Sequence, residues 1–297
     1  MIRTLDTSML NIQKSYRELA PLAAKYGLQA ISIPDTLFDD PQKAIEETAW
    51  LKDQGLGWGL LPLPADFYHW DLTDDAFEHA LEILKRRADI AGKIGVTHAY
   101  NHVWPTSPRP FDENFAWHVC RVKAVSTVLR DSGIRYGLEF LGPHELRTWQ
   151  KYEFVHSLSG VLAIADAADM IAGIAFDTFH WYCSSGGCMD DLLYMACHTE
   201  RLVAVHLNDA VEGVPYHEQK DMQRRLPMES GVIDTADILR RFKATANDAL
   251  YMIEPFEPGR TRFRAMSAEE AVRSAAEIFA KVEAYRRSPD VRGLPFP

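Results

Sequence analysis

A glutamate inside an otherwise apolar run raises the first question of chemistry. In YGLEFLGPHE, Glu139 stands among Tyr136, Leu138, Phe140 and Leu141, a β-like setting in which a buried carboxylate is costly unless something pairs with it. Three more polar residues stand at or near the ends of apolar runs: Asp177 in IAFDTFHWY, His206 in VAVHLNDA and Glu254 in YMIEPFEP. Three carboxylates brought together repel one another and raise each other's pKa unless a cation sits among them. Mostly oxygen donors with one imidazole suit a single divalent metal, Mn²⁺ foremost, with Mg²⁺, Co²⁺, Fe²⁺ and Zn²⁺ also able to accept the set. Taken singly, each residue is as well explained by a helix N-cap or an ion pair. The case for a metal is that all four fall on successive elements of the chain.

Those elements must end together in space. Short β-branched or apolar runs alternate with longer amphipathic stretches, placing strands at 3–9, 28–33, 57–63, 97–102, 135–141, 171–177, 202–207 and 250–255. Helical patterns lie between them near 12–26, 41–54, 72–94, 111–131, 149–168, 188–201, 234–247 and 267–287. In 72–94, Phe77, Leu81, Leu84, Ala88 and Ala91 recur at helical spacing behind a Thr-Asp-Asp capping region. Repeated βα units demand parallel strands with right-handed crossovers, and eight of them predict a closed (β/α)8 TIM barrel, as one domain over 1–297. A doubly wound sheet would call for a GxGxxG turn after the first strand, and none is present. In a barrel the active site forms where the strands end. That adds Asp209 after strand seven, His102 at the end of strand four, read as either a core or a site histidine, and His180, which either packs beside Trp181 and Tyr182 or joins the site. Aromatic residues crowd the same loops, among them Trp70, Trp104, Tyr216 and Phe256. They either pack or offer a wall on which a ligand ring stacks. The long connection 208–233 has the length of a functional loop.

The 297 residues are 47% apolar, ample for a large core. A net charge of −10 argues against a broad electrostatic footprint for nucleic acid. Cys120, Cys183, Cys188 and Cys197 form no CxxC and no disulfide framework. The N-terminal residues lack an apolar signal region, and no run approaches the roughly 18 apolar residues of a membrane span. The expectation is a soluble cytoplasmic protein with no nucleic-acid or membrane partner.

GLEFLGPHE (137–145), FDTFH (176–180), VHLND (205–209), RLPMESGVID (225–234) and IEPF (253–256), in this order and on strands five to eight, resemble the sugar phosphate isomerase/epimerase group of xylose isomerase-like barrels. That group includes ketose 3-epimerases, inosose isomerases and dehydratases and, more distantly, endonuclease IV. The resemblance covers essentially the whole chain. It implies that Glu139, Asp177, His206 and Glu254 bind the metal, that Glu139 and Glu254 also form the acid/base pair, and that His180 and Glu145 contact a sugar or polyol substrate. The chemistry implied is proton abstraction next to a carbonyl through a metal-bound enediolate. Proton return to the same carbon would be epimerisation, return to its neighbour isomerisation, and loss of a β-hydroxyl dehydration.

The chain departs from the epimerases after strand seven. Where they carry an arginine in an R-x-P-G context, Glu212 stands six residues past His206, and the nearest match is Arg225, followed by Pro227-Met228-Glu229-Ser230. A dehydratase or C-glycoside-cleaving lyase therefore stays open beside the epimerase or isomerase, as does a non-catalytic binding subunit, which would predict a missing ligand. The Asp-x-His pair of a trinuclear zinc nuclease is absent, since Ala210 and Val211 follow Asp209. Arg260, Arg262 and Arg264 of EPGRTRFR are read as a solvated loop, a phosphate site or a contact in a homo-oligomer, with an unphosphorylated substrate preferred.

Overall fold

The computed structural model describes residues 1–285, apart from Ala172 and Ala246. Eight parallel strands form one sheet: β1 (Ile2–Leu5), β2 (Ala30–Ile31), β3 (Gly57–Trp58), β4 (His98–Val103), β5 (Arg135–Phe140), β6 (Ile174–Asp177), β7 (Leu202–Leu207) and β8 (Leu250–Ile253). Their order is 3-2-1-8-7-6-5-4, each strand beside its neighbours in sequence. Just past β3 the Leu61 N–H donates to the His98 carbonyl at 2.8 Å, so the curled sheet meets itself as the (β/α)8 reading requires.

Around it run α1 (Tyr16–Lys25), α2 (Pro41–Asp53), α3 (Asp74–Ile94), α4 (Phe111–Asp131), α5 (Leu158–Ala167), α6 (Thr178–Ser185), α7 (Met189–Cys197), α8 (Thr235–Phe242), α9 (Gly259–Arg264) and α10 (Ala268–Ala284). Local chemistry sets their ends. The Thr73 hydroxyl accepts from the Ala76 N–H to start α3, and Gly95 at φ 79° closes it. Ser267 and Glu270 form a reciprocal capping box on α10.

The expected strands are cut short at the mouth. The runs 3–9, 28–33 and 57–63 end as strands at Leu5, Ile31 and Trp58, and their remaining residues become loop that lines the opening. Two helices escaped the sequence reading. Residues 178–185 are apolar enough to pass for a strand's continuation, yet Asp177 caps them into α6. The stretch 259–264 is α9 rather than loop. The helix expected over 149–168 starts only at Leu158, after a 3₁₀ turn at His144–Thr148 and a two-residue ladder of Thr106–Ser107 with Tyr152–Glu153. The expected 286–287 lie outside the described residues.

Small residues let the strands close. A Cβ on Gly137 would come within 2.9 Å of the Ala175 nitrogen, so glycine permits β5 to lie against β6. Ala175, Ala204, Leu250 and Met252 cluster with Tyr100 and Leu60, while the larger core packs the helices onto the strands. No helix among the described residues is long and apolar enough to cross a membrane.

One core histidine has a pH consequence. His118 on α4 is buried beside the rings of Tyr68 and Phe154, and its Nδ1 lies 2.8 Å from the Asn114 carbonyl. Burial, helped by Arg109 and Arg121 and opposed by Asp66, pushes it down to about 4. The unfolded chain therefore binds a proton that the folded one does not between about 6.5 and 4, and stability falls as pH drops through that window. Between pH 7.5 and 5 this residue removes about 2 kcal/mol. Denaturant titrations at the two pH values should show a correspondingly smaller loss in His118→Phe; equal losses would refute the assignment.

Candidate metal centre and active site

Strand register assembles the group. His102 on β4 pairs with Glu139 on β5, and Asp177 on β6 pairs with His206 on β7, after a one-residue irregularity at Ile174/Ala175 shifts the β6–β7 ladder. Glu254 follows β8 directly, its N–H 3.3 Å from the Leu207 carbonyl. Glu139, Asp177, His206 and Glu254 are all buried, and one ligand atom from each lies within 4.8 Å of the others. His206 Nδ1 is 2.7 Å from Glu139 Oε1 and 3.7 Å from Glu254 Oε2. His206 Nε2 is buried without a hydrogen bond among the described residues, and Glu139 Oε2 meets only His102 Nε2, at 3.0 Å. Three carboxylates and an imidazole, all inward and partly unsatisfied, fit a divalent cation.

The charges show the crowding. Burial raises Glu139, but His206 and His102 overcome it and hold the carboxyl well below the usual range. Burial acts likewise on Glu254, which His206 and Arg224 keep low. Asp177 goes the other way: burial, together with Glu254 and Glu139, pushes it well up against the pull of Arg224. Against the cost of burial, Glu139 lifts His206 to about 10 and His102 to about 9.

Asp177 serves two ends at once: it is an N-cap, as one reading of it expects, and it also belongs to the buried carboxylate group. Its Oδ1 accepts the N–H groups of Phe179 and His180 at 2.6 and 2.8 Å, capping α6, while Oδ2 takes Asn208 Nδ2 at 2.8 Å and Arg224 Nη1 at 3.0 Å. His180, thereby aimed inward, is buried with Nδ1 3.3 Å from the Gly142 nitrogen and Nε2 3.3 Å from Arg224 Nη2. Burial and Arg224 lower it to about 4, leaving it neutral. Gly142 is required here, because a Cβ would fall 1.9 Å from the His180 carbonyl oxygen.

The other expected contacts divide. His102 Nε2 lies 3.0 Å from Glu139 Oε2 and lines the cavity. Trp104 Nε1 donates to Asp66 Oδ2 at 2.6 Å, and its ring sits 5.4 Å from Trp70 and 5.8 Å from the exposed Trp149, making an aromatic ladder at the rim. Glu145 instead clasps the long loop, accepting the Asp221 N–H at 2.7 Å with Lys220 Nζ 3.3 Å away. Asp209 accepts four backbone N–H groups, from Ala210, Ser230, Gly231 and Ile233, at 2.7–3.0 Å. Its backbone also exchanges two hydrogen bonds with Arg225. The Arg225 side chain turns away to Glu212 at 3.2 Å.

Its neighbour Arg224 enters the group. Nη1 donates to Asp177 Oδ2 and Glu254 Oε2, each at 3.0 Å, Nη2 donates to Asp221 Oδ1 at 2.8 Å, and the guanidinium lies between the rings of Phe179 and Phe256. It is among the largest fully buried side chains. The RR pair before Leu226 was the available signal.

Beside the group opens a cavity of about 680 Å³, walled by the loops after β1, β2 and β3, by Tyr100, Asn101 and His102 of β4, and by Glu254, Phe256 and Arg260.

With the fold and group in place, comparison gives the class: the chain belongs to the xylose isomerase-like TIM barrel family, which matches residues 20–282. Among solved structures it is similar to a xylose isomerase domain protein from Alicyclobacillus acidocaldarius (24% identity, TM-score 0.77, covering 95% of this chain and 98% of that one). It is also similar to the IolI protein with a bound zinc atom (17%, 0.74, 95% and 98%). A third likeness is to a D-psicose 3-epimerase from Clostridium cellulolyticum bound to D-tagatose (13%, 0.67, 95% and 98%). Comparison with curated proteins finds no match.

Proposed function

We propose that the protein is a divalent-metal-dependent isomerase or epimerase that moves a proton at the carbon next to a carbonyl in a sugar, cyclitol or related polyol. The observation that carries this reading is the convergence of Glu139, Asp177, His206 and Glu254 beside a cavity large enough for such a molecule. These four residues would hold the cation, Mn²⁺ foremost, which when bound supplies Lewis acidity to the carbonyl. Glu139 and Glu254 are the proton carriers. His206 would be neutral as a ligand, so the bound cation, with His102 beside Glu139 and Arg224 beside Glu254, would keep both carboxylates ionised and able to accept a proton. His180, neutral, and Arg224 border them as hydrogen-bonding groups for substrate oxygens. The aromatic ladder of Trp70, Trp104 and Trp149 favours a second reading, lyase chemistry on a bulkier or aryl-linked sugar. The binding-subunit reading loses its support, because no member of the ligand set is missing.

Metal analysis of the purified protein, joined to incubation with D-fructose, D-tagatose and an inosose in D₂O, tests the proposal. The expected result is near-stoichiometric divalent metal and deuterium at the carbon adjoining the carbonyl, with the product deciding between epimerase, isomerase and lyase. Protein that takes up no metal on reconstitution, or exchange that persists without metal, would overturn it.

A further inference from the structure

The cavity wall formed by the loop after β1, with Tyr100 of β4 beside the carboxylate group, has its own chemistry. Asp6 and Thr7 follow β1 directly. Asp6 Oδ1 is tied down by three donors, the Ser8 N–H at 3.0 Å, the Ser8 hydroxyl at 2.8 Å and the Met9 N–H at 3.0 Å. Its Oδ2 has no hydrogen bond among the described residues. The same holds for the Thr7 hydroxyl, whose residue is bound only through its backbone, and for the Tyr100 hydroxyl, whose ring lies 4.8 Å from His206 and 5.5 Å from His102. All three residues line the cavity. Asp66 is committed to Asn101, Trp104 and the Tyr68 N–H, and Ser32 to Thr7 and Leu5, while Asp35, whose Oδ1 meets Arg87, is an exposed side chain at the rim.

We propose that Asp6, Thr7 and Tyr100 form the specificity subsite for the non-reacting end of the substrate, and that this end is an uncharged polyhydroxy chain or ring carrying no phosphate or carboxylate. The inference rests on the reading of Glu139 and Glu254 as the reacting end. A fixed carboxylate oxygen accepts from a substrate hydroxyl, the Thr7 hydroxyl donates or accepts, and the phenol donates to a hydroxyl oxygen, a complement that vicinal hydroxyls satisfy. A phosphate would bring charge against Asp6, Asp35, Asp66 and Glu254. His102 is already held against Glu139. That leaves Arg260, whose nearest hydrogen-bond acceptor is the Ser8 carbonyl at 3.5 Å, as the one wall cation among the described residues not set against a carboxylate.

Calorimetric titration of the Mn²⁺-loaded protein with D-glucitol and with D-glucitol 6-phosphate, neither of which has a carbonyl, tests the subsite without asking for turnover. The neutral polyol should bind with a millimolar constant and at least about 10-fold more tightly than its phosphate ester. Asp6→Asn, which keeps an acceptor for the Ser8 and Met9 N–H groups, should weaken the polyol about 10-fold and narrow its advantage over the ester. Tyr100→Phe gives an independent loss should the first variant fold poorly. Tighter binding of the ester, equal polyol affinity in wild type and both variants, or no polyol binding up to about 100 mM would each overturn the inference. The outcomes separate it from the proposed reaction: polyol binding that responds to Asp6 without any metal-dependent exchange would sink the reaction alone, and exchange indifferent to Asp6→Asn would sink the subsite alone.

Discussion

Glu254→Gln in metal-loaded protein is expected to lower proton exchange next to the ketose carbonyl by at least about 100-fold, and Glu139→Gln to do the same, because each variant keeps the side chain's size while removing a base. The hydrogen-bonding frame survives in outline. In the first variant the new amide oxygen still accepts from Arg224 Nη1, which lies 3.0 Å from Glu254 Oε2 in the wild type. In the second the amide oxygen still faces His206, whose Nδ1 lies 2.7 Å from Glu139 Oε1. Both residues are also in the ligand set, so exchange is measured at saturating metal with the metal content determined on the same sample. Unimpaired exchange in both variants at full occupancy would remove them as the acid/base pair. Loss of exchange together with loss of metal would make them ligands alone.

Arg224→Met is the second large effect. The methionine stem can still lie between Phe179 and Phe256, but Asp177 and Glu254 lose the guanidinium that bridges them, and stranding buried carboxylates costs about 3 to 5 kcal/mol. In the variant a bound cation is left to neutralise those oxygens, so Mn²⁺ should stabilise it more than it stabilises wild type. Thermal denaturation of both proteins with and without Mn²⁺ gives the four values needed. A variant as stable as wild type, or one that gains no more from the metal, would show that Arg224 is not the group's internal counter-charge.

The contrast between Arg224 and Arg225 marks the boundary of what the amino-acid sequence reveals. Glu139, Asp177, His206 and Glu254 are legible because each interrupts or ends an apolar run, and strand ends in a barrel share one face. No such contrast distinguishes two adjacent arginines in a polar loop. Their side chains diverge because Gln223–Arg224 pairs with Glu257–Pro258 while Arg225 pairs with Asp209, and the two-residue period of extended backbone sends neighbours to opposite sides. Asp209 is a parallel case. Its position after β7 is a site position, and its four N–H donors, supplied by residues up to 24 positions away, leave no trace in local sequence. The helix α6 was hidden for another reason: Phe179, Trp181 and Tyr182 have the composition of a strand, and the capping by Asp177 that decides the matter uses the residue already explained as a ligand. Asp6 went unread because the first strand was drawn to 9, which placed it inside β1 instead of at its exit, and Tyr100 because, as one more aromatic inside β4, it reads as core.

The antiparallel bridge between Asp209 and Arg225 also closes the intervening excursion at its neck. Within that neck, Gln219 ties the backbone at Val211 and Val214, and Gly213 forms an exposed turn at φ 73°. Arg224 sits immediately inside the neck, so its placement derives from β7 and from the 257–258 ladder rather than from the far end of the loop. Chain closed in this way can gain or lose residues near Gly213 at little entropic cost. The excursion is in this sense a replaceable cassette: its outer half can be exchanged to reshape the mouth while Arg224 and the buried group of Glu139, Asp177, His206 and Glu254 keep their register.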